Sequence, residues 1–108
     1  MLRMSEDIIR LDLTGPTALA IIRKLAADSA NVFLLDHCKS SMKKRHITRV
    51  QINQCLLKGR ITEGPYRDIG SGNWRTRMEH FSDGQCIRVI AELFMNDLGE
   101  KILIITTF

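Results

Sequence analysis

The stretch DHCKSSMKKRHIT, residues 36 to 48, holds two histidines and four basic residues, and no acid follows Asp36. On a helix, His37, Ser41 and Arg45 stand at i, i+4 and i+8 and line one side. An imidazole takes or gives a proton near neutral pH. A guanidinium stabilises the charge on a phosphate under attack. Lys44 lies beside the row. RNA supplies its own nucleophile, the 2′-hydroxyl, so a histidine and an arginine on one face could cleave it without a metal. The bland reading stands next to this one: a histidine beside a helix start often caps or packs. His46, at the expected helix end, reads as a cation that complements the helix dipole. His80, which shares a strand face with apolar residues, reads as structural.

The positive charge extends well past Arg45. From His37 to Thr62 the chain carries Lys39, Lys43, Lys44, Arg45, Arg49, Lys58 and Arg60 with no Asp or Glu among them. That segment is +7, and the other nine basic residues stand against all twelve acids, leaving −3. A soluble surface ordinarily mixes signs. The missing acids therefore point to a polyanion or an acidic protein as partner. Lys39, Lys43, Arg49, Lys58 and Arg60 are the expected backbone-phosphate contacts, with Arg75, Arg77 and Arg88 adding charge from later strands. Tyr66 or Trp74 can stack on a base of single-stranded RNA, although both also suit packing.

Something must position these groups, and 108 residues at 44% hydrophobic and 26% charged suffice for one small folded domain. No apolar run approaches the length that spans a bilayer. The start, MLRMSEDIIR, has no apolar h-region, so a cytoplasmic protein is expected. Three cysteines without CxxC spacing read as small buried residues in a reducing compartment. A zinc set of His37, Cys38, His46 and Cys86 lacks ligand spacing, and no cofactor is expected.

Thr14-Gly15-Pro16 opens a helix that runs to about Asp28. NVFLL, residues 31 to 35, is a short strand or the lead into the next helix. That helix spans Asp36 to about Arg45, with Asp36 as its cap and Cys38 and Met42 toward the sheet. Thr48 caps a third helix, RVQINQCLLK, with Val50, Ile52, Cys55 and Leu56 on its apolar side. Gly59 stops it as a C′ glycine would. Beyond Gly59 the pattern becomes extended, with turn chemistry at Gly64-Pro65, Gly70 to Asn73, Ser82 to Gly84 and Asn96 to Gly99. Trp74, Thr76, Met78 and His80 share one strand face and Arg75, Arg77 and Glu79 the other. Ile87, Val89, Ala91, Leu93 and Met95 form the apolar face of the next strand. The expected fold is α+β, with N-terminal helices packed on a small C-terminal antiparallel sheet.

His37, Met42, Arg45, Ile47 and Thr48 fit the pattern H-A-x-x-R-M-x-x-R-x-I-S, with Thr for Ser at its end. RITEGPYRDIGSGNW resembles the segment that succeeds this pattern, and ILIITTF resembles its closing strand. From about Val32 to Phe108, some 70% of the sequence, the chain thus resembles the family called domain of unknown function 4258. Such domains are similar to RelE-like ribonuclease toxins. That likeness implies helices on a small antiparallel sheet, metal-independent RNA cleavage, RNA as partner (free or on the ribosome) and control by a protein antitoxin. It assigns His37 as general acid or base and Arg45 to transition-state charge, and it adds Lys44, Arg77 and Thr106 to the site. One position departs: Ser41 stands where the family has its first Arg, so Lys44, Arg75 or Arg77 would have to substitute. Residues 1–31, an extension with a helix, lie outside the resemblance. Two other functions fit the same charge: a non-catalytic module binding nucleic acid, and a regulatory partner docking on an acidic antitoxin-like chain.

Overall fold

The computed structural model describes residues 13–108. Helix α1, Gly15–Ala26, starts as expected: the Thr14 hydroxyl accepts from the Thr17 amide, and proline stands in the first turn. Ala18, Ile21, Ile22, Leu25 and Ala26 fall on one stripe and are buried. A 3-10 turn at Ser29–Asn31 leads into β1, Val32–Leu34, so the ambiguous NVFLL is a strand.

Helix α2, Asp36–Arg45, differs from expectation at its start. Leu35 is the N-cap and provides no side-chain bond, while Asp36 is the first helical residue. There its charge still favours the helix N-terminus. At the other end His46 takes the left-handed conformation, φ 55 and ψ 43. The amides of His46 and Ile47 donate back to the carbonyls of Lys43 and Met42, at 3.4 and 2.9 Å. This is a Schellman closure, normally completed by glycine. A side chain in that conformation costs roughly 1–2 kcal/mol. His46→Gly is therefore expected to stabilise the fold by about 1 kcal/mol, read in urea unfolding as a higher midpoint with unchanged slope.

Helix α3, Arg49–Lys58, opens on a full capping box between Thr48 and Gln51. Ile52, Cys55 and Leu56 are buried, but Val50 is 65% exposed, against expectation. Two residues on a helix are about 200° apart, so Val50 points away from Ile52. Gly59 closes α3 with φ −76, not in the left-handed region. Glycine is needed for close approach: a Cβ would sit 2.4 Å from the Cys55 carbonyl oxygen and 2.6 Å from that of Glu79.

Strands β2 (Arg60–Arg67), β3 (Trp74–Ser82), β4 (Gln85–Asn96) and β5 (Gly99–Thr107) form the expected antiparallel meander. The sheet order is β1-β5-β4-β3-β2, and β1 runs parallel to β5. The sheet is thus mixed rather than purely antiparallel. Trp74, Thr76 and Met78 lie opposite Leu93, Ala91 and Val89, and with Ile87, Ile102 and Ile104 they make the buried layer. Met95, past the end of that layer, is exposed. Among the described residues no helix is long and apolar enough to cross a membrane.

The cysteines divide. Cys38 and Cys55 are buried, but Cys86 is exposed, because it pairs with Phe81 near the tip of the β3–β4 hairpin. Burial raises the Cys38 thiol, and burial first, then Cys86 and Glu79, pushes Cys55 up to about 12. Neither buried thiol is a competent nucleophile at neutral pH.

Candidate functional site

α2 begins where β1 leaves the sheet. The Leu35 amide still donates to the Ile104 carbonyl, and the chain then turns into helix and runs along the rest of β5. Cys38 is fully buried and Met42 packs against the core, as expected. His37, Lys39, Lys43, Lys44 and Arg45 remain exposed. At the far end the Gln85 side-chain amide donates to the Arg45 carbonyl at 3.2 Å, tying α2 to the β3–β4 hairpin.

The position of Thr106 depends on a break in the ladder. Ile104 pairs with Ala91, but Thr106 pairs with Ile90, so β5 carries one extra residue, Ile105. Strict alternation would have aimed Thr106, like Ile102 and Ile104, at the helices. The bulge instead sends Thr107 inward, where it is buried, and leaves Thr106 on the open face with Ile90 and Arg77. There the Thr106 hydroxyl lies 3.1 Å from that of Ser41. Thr106 gives its proton to the Thr107 carbonyl at 3.0 Å, so Ser41 is the donor between them. The Ser41 oxygen keeps its acceptor sites.

Across the open face the path continues. Arg77 lies over the Phe108 ring at 5.2 Å, and the Phe108 amide bonds to the Arg88 carbonyl. Arg77 Nε has no hydrogen bond; its ion-pair neighbour, Glu63, is 3.4 Å away. From Thr106 to Arg77 is two strand spacings, about 10 Å. Ser41 thus meets Thr106 and Arg77 meets Phe108, with His37 and Arg45 a turn to either side of Ser41. No side-chain hydrogen bond or ion pair holds His37, Lys39, Lys43 or Lys44 to any described residue, and Arg45 bonds only through its backbone.

Other expected contacts are engaged in the fold. Arg49 donates to the carbonyls of Val32 and Ser29, at 2.7 and 3.2 Å, and so fastens α3 to β1. Arg60 pairs with Glu79 at 2.6 Å, and Lys58 is exposed at the end of α3. Trp74, 6% exposed, lies in the buried layer with the Arg67 guanidinium over its ring at 4.6 Å, a packing position. Tyr66 is exposed on β2. Arg75 is matched by Glu92 and, at 3.7 Å, by Asp68, and the Glu92 bond holds the guanidinium's proton more firmly than usual.

Sequence reasoning missed Glu92. It is 2% exposed and accepts from Arg75, from Asn73 Nδ2 at 3.0 Å and from the Ser71 hydroxyl at 3.3 Å. Asp68 orders the same loop, and the Ser71 amide and then its hydroxyl hold its carboxyl below the ordinary value. The signal was present in the alternation, which set Glu92 opposite Arg75, but not in anything that showed the loop folding over it. No group of His, Cys, Asp or Glu among the described residues could hold a metal ion, the imagined zinc set included.

Fold and site together define an α+β chain whose exposed cations stand on a helix at the sheet's edge, beside a bulged C-terminal strand. Residues 34–108 match the family described as domain of unknown function DUF4258, and the chain belongs to that family. No curated protein and no solved structure matches it.

Proposed function

We propose that the chain is a toxin-type, metal-independent endoribonuclease, akin to the RelE-like toxins, acting on single-stranded RNA held along α2. The observation that carries this reading is the Ile105 bulge, which turns a threonine hydroxyl outward against the middle of the His37–Ser41–Arg45 row. Bulges next to working sites commonly re-aim a side chain in this way. In this reading His37 takes the proton from the 2′-hydroxyl, whose oxygen then attacks phosphorus. The bond to the 5′-oxygen breaks, and that oxygen takes a proton from solvent. Arg45 and Lys44 offset charge on the phosphate, with Arg77 toward the sheet, while Lys39 and Lys43 hold flanking phosphates. Arg49 holds α3 to β1, the strand that leads into α2, while Arg60 and Arg75 are taken up by Glu79 and Glu92 within the sheet. A protein antitoxin would cover the same cations.

Incubating a labelled single-stranded RNA with the protein in EDTA tests the proposal. Cleavage that leaves 2′,3′-cyclic phosphate ends is expected. A second reading, binding without cleavage, is favoured by Ser41, a neutral residue whose hydroxyl is spent on Thr106. Intact RNA at every protein concentration, bound with an affinity that falls steeply with salt, would select it. About four exposed cations on α2 give an expected slope of log affinity on log salt near −3 for a single strand.

A further inference from the structure

The hairpin that anchors α2 also borders a recess of about 360 Å³, lined by Lys58, Arg60, Glu79, His80, Phe81 and Cys86. The proposed cleavage does not use it. Phe81 is 70% exposed, its ring open to solvent at the hairpin tip, and Lys58 stands free of any carboxylate among the described residues. Glu79, the one acid of the lining, is already matched by Arg60 and by Arg88, at 2.6 and 3.8 Å, so the recess keeps a net positive charge. It is concave, open to solvent and edged by an aromatic ring, with cations beside the ring. That is the make-up of a stacking platform for an unpaired base with its phosphate.

Its location supports the assignment. Gln85, which bonds to the Arg45 carbonyl, precedes Cys86 in the recess wall, and Ser82, its strand partner, comes directly after Phe81. Between the end of α2 and the Phe81 strand lie the Gln85 side chain with its 3.2 Å bond and one strand spacing, about 5 Å. We infer that this recess is a second nucleotide subsite, in which Phe81 stacks on a base of the same RNA strand and Lys58, the cation of the lining not engaged by Glu79, takes its phosphate. The inference rests on the reading that α2 binds RNA.

Cys86 allows a direct test, because it lines the recess and Cys38 and Cys55 are buried. The full chain would be alkylated with iodoacetamide, with and without a saturating single-stranded oligonucleotide, and Cys86 modification followed by mass. Binding would be measured in parallel by anisotropy for wild type, Phe81→Ala and Lys44→Ala. The expected results are Cys86 alkylation slowed at least about fivefold by RNA, and affinity roughly 5- to 150-fold weaker in Phe81→Ala, the range for one lost stacking contact. If RNA binds, and binds less well to Lys44→Ala, while Cys86 stays reactive and Phe81→Ala matches wild type, the subsite is overturned and the α2 reading stands. If wild type binds no RNA, both are overturned. Because Phe81 is exposed, unchanged melting of Phe81→Ala would show that a loss of affinity is not a loss of fold.

Discussion

His37→Ala is expected to reduce RNA cleavage by roughly 10²–10⁴-fold, the usual worth of a general acid or base. It should leave RNA affinity within about twofold of wild type, because the fixed positive charge on α2 comes from its lysines and arginine. The variant should fold normally: His37 is exposed, and no side-chain hydrogen bond or ion pair ties it to a described residue. Single-turnover rates with excess protein, alongside a thermal melt, separate these effects. A variant that cleaves as fast as wild type would remove His37 from the chemistry and move the proton transfer to Lys44 or another group. An unstable variant would instead show that the imidazole holds α2 in place.

The second large effect concerns stability alone. Glu92→Ala is expected to cost about 2–3 kcal/mol, the range for losing a charged hydrogen-bond partner from a part-buried pair. Glu92 is the acceptor on which Arg75, Asn73 and Ser71 converge. Without it the Arg75 guanidinium keeps only Asp68, at 3.7 Å, and the loop from Asp68 to Asn73 loses two of its bonds to the sheet. Against a total of some 5–15 kcal/mol for a domain, that loss is a large fraction. Urea unfolding of wild type, Glu92→Ala and the double variant Glu92→Ala/Arg75→Leu measures it. The double variant should recover part of the loss, since it no longer leaves a half-covered cation with only Asp68 to answer it. A Glu92→Ala cost below about 1 kcal/mol would show that solvent, and not Glu92, satisfies the arginine.

How far the sequence can be read depends on whether the relevant contacts are local. Thr14 and Thr48 could be seen as caps because capping is settled within four residues. The inward faces of β3 and β4 came from strict alternation, and so did the burial of Cys38 and Met42 behind the α2 row from helical spacing. Asp36 failed as a cap because the helix begins one residue earlier than a capping aspartate requires. Val50 failed because one apolar residue does not mark which way a helix faces. Parallel pairing of β1 with β5 leaves no local trace, since no turn joins them. The site divides the same way. The i, i+4, i+8 row was legible in the residues, whereas the Ile105 bulge that completes it is a register shift with no residue-type signature. Resemblance pointed to Thr106; only the ladder explains why its hydroxyl faces out.

The pairing of β1 with β5 also bears on when the site can exist. Val32 pairs with Ile102, Ser41 meets Thr106 across 65 positions, and Lys101 Nζ reaches back 70 positions to Asn31. Contacts this remote in sequence form late, after the chain between them has been made and closed into a loop. A nascent chain still lacking residues 99–108 has the residues of the basic helix, but not the strand that helix lies against. During translation the cations of α2 therefore emerge before the strand that gives them a fixed place, and the interval ends when β5 has emerged and paired.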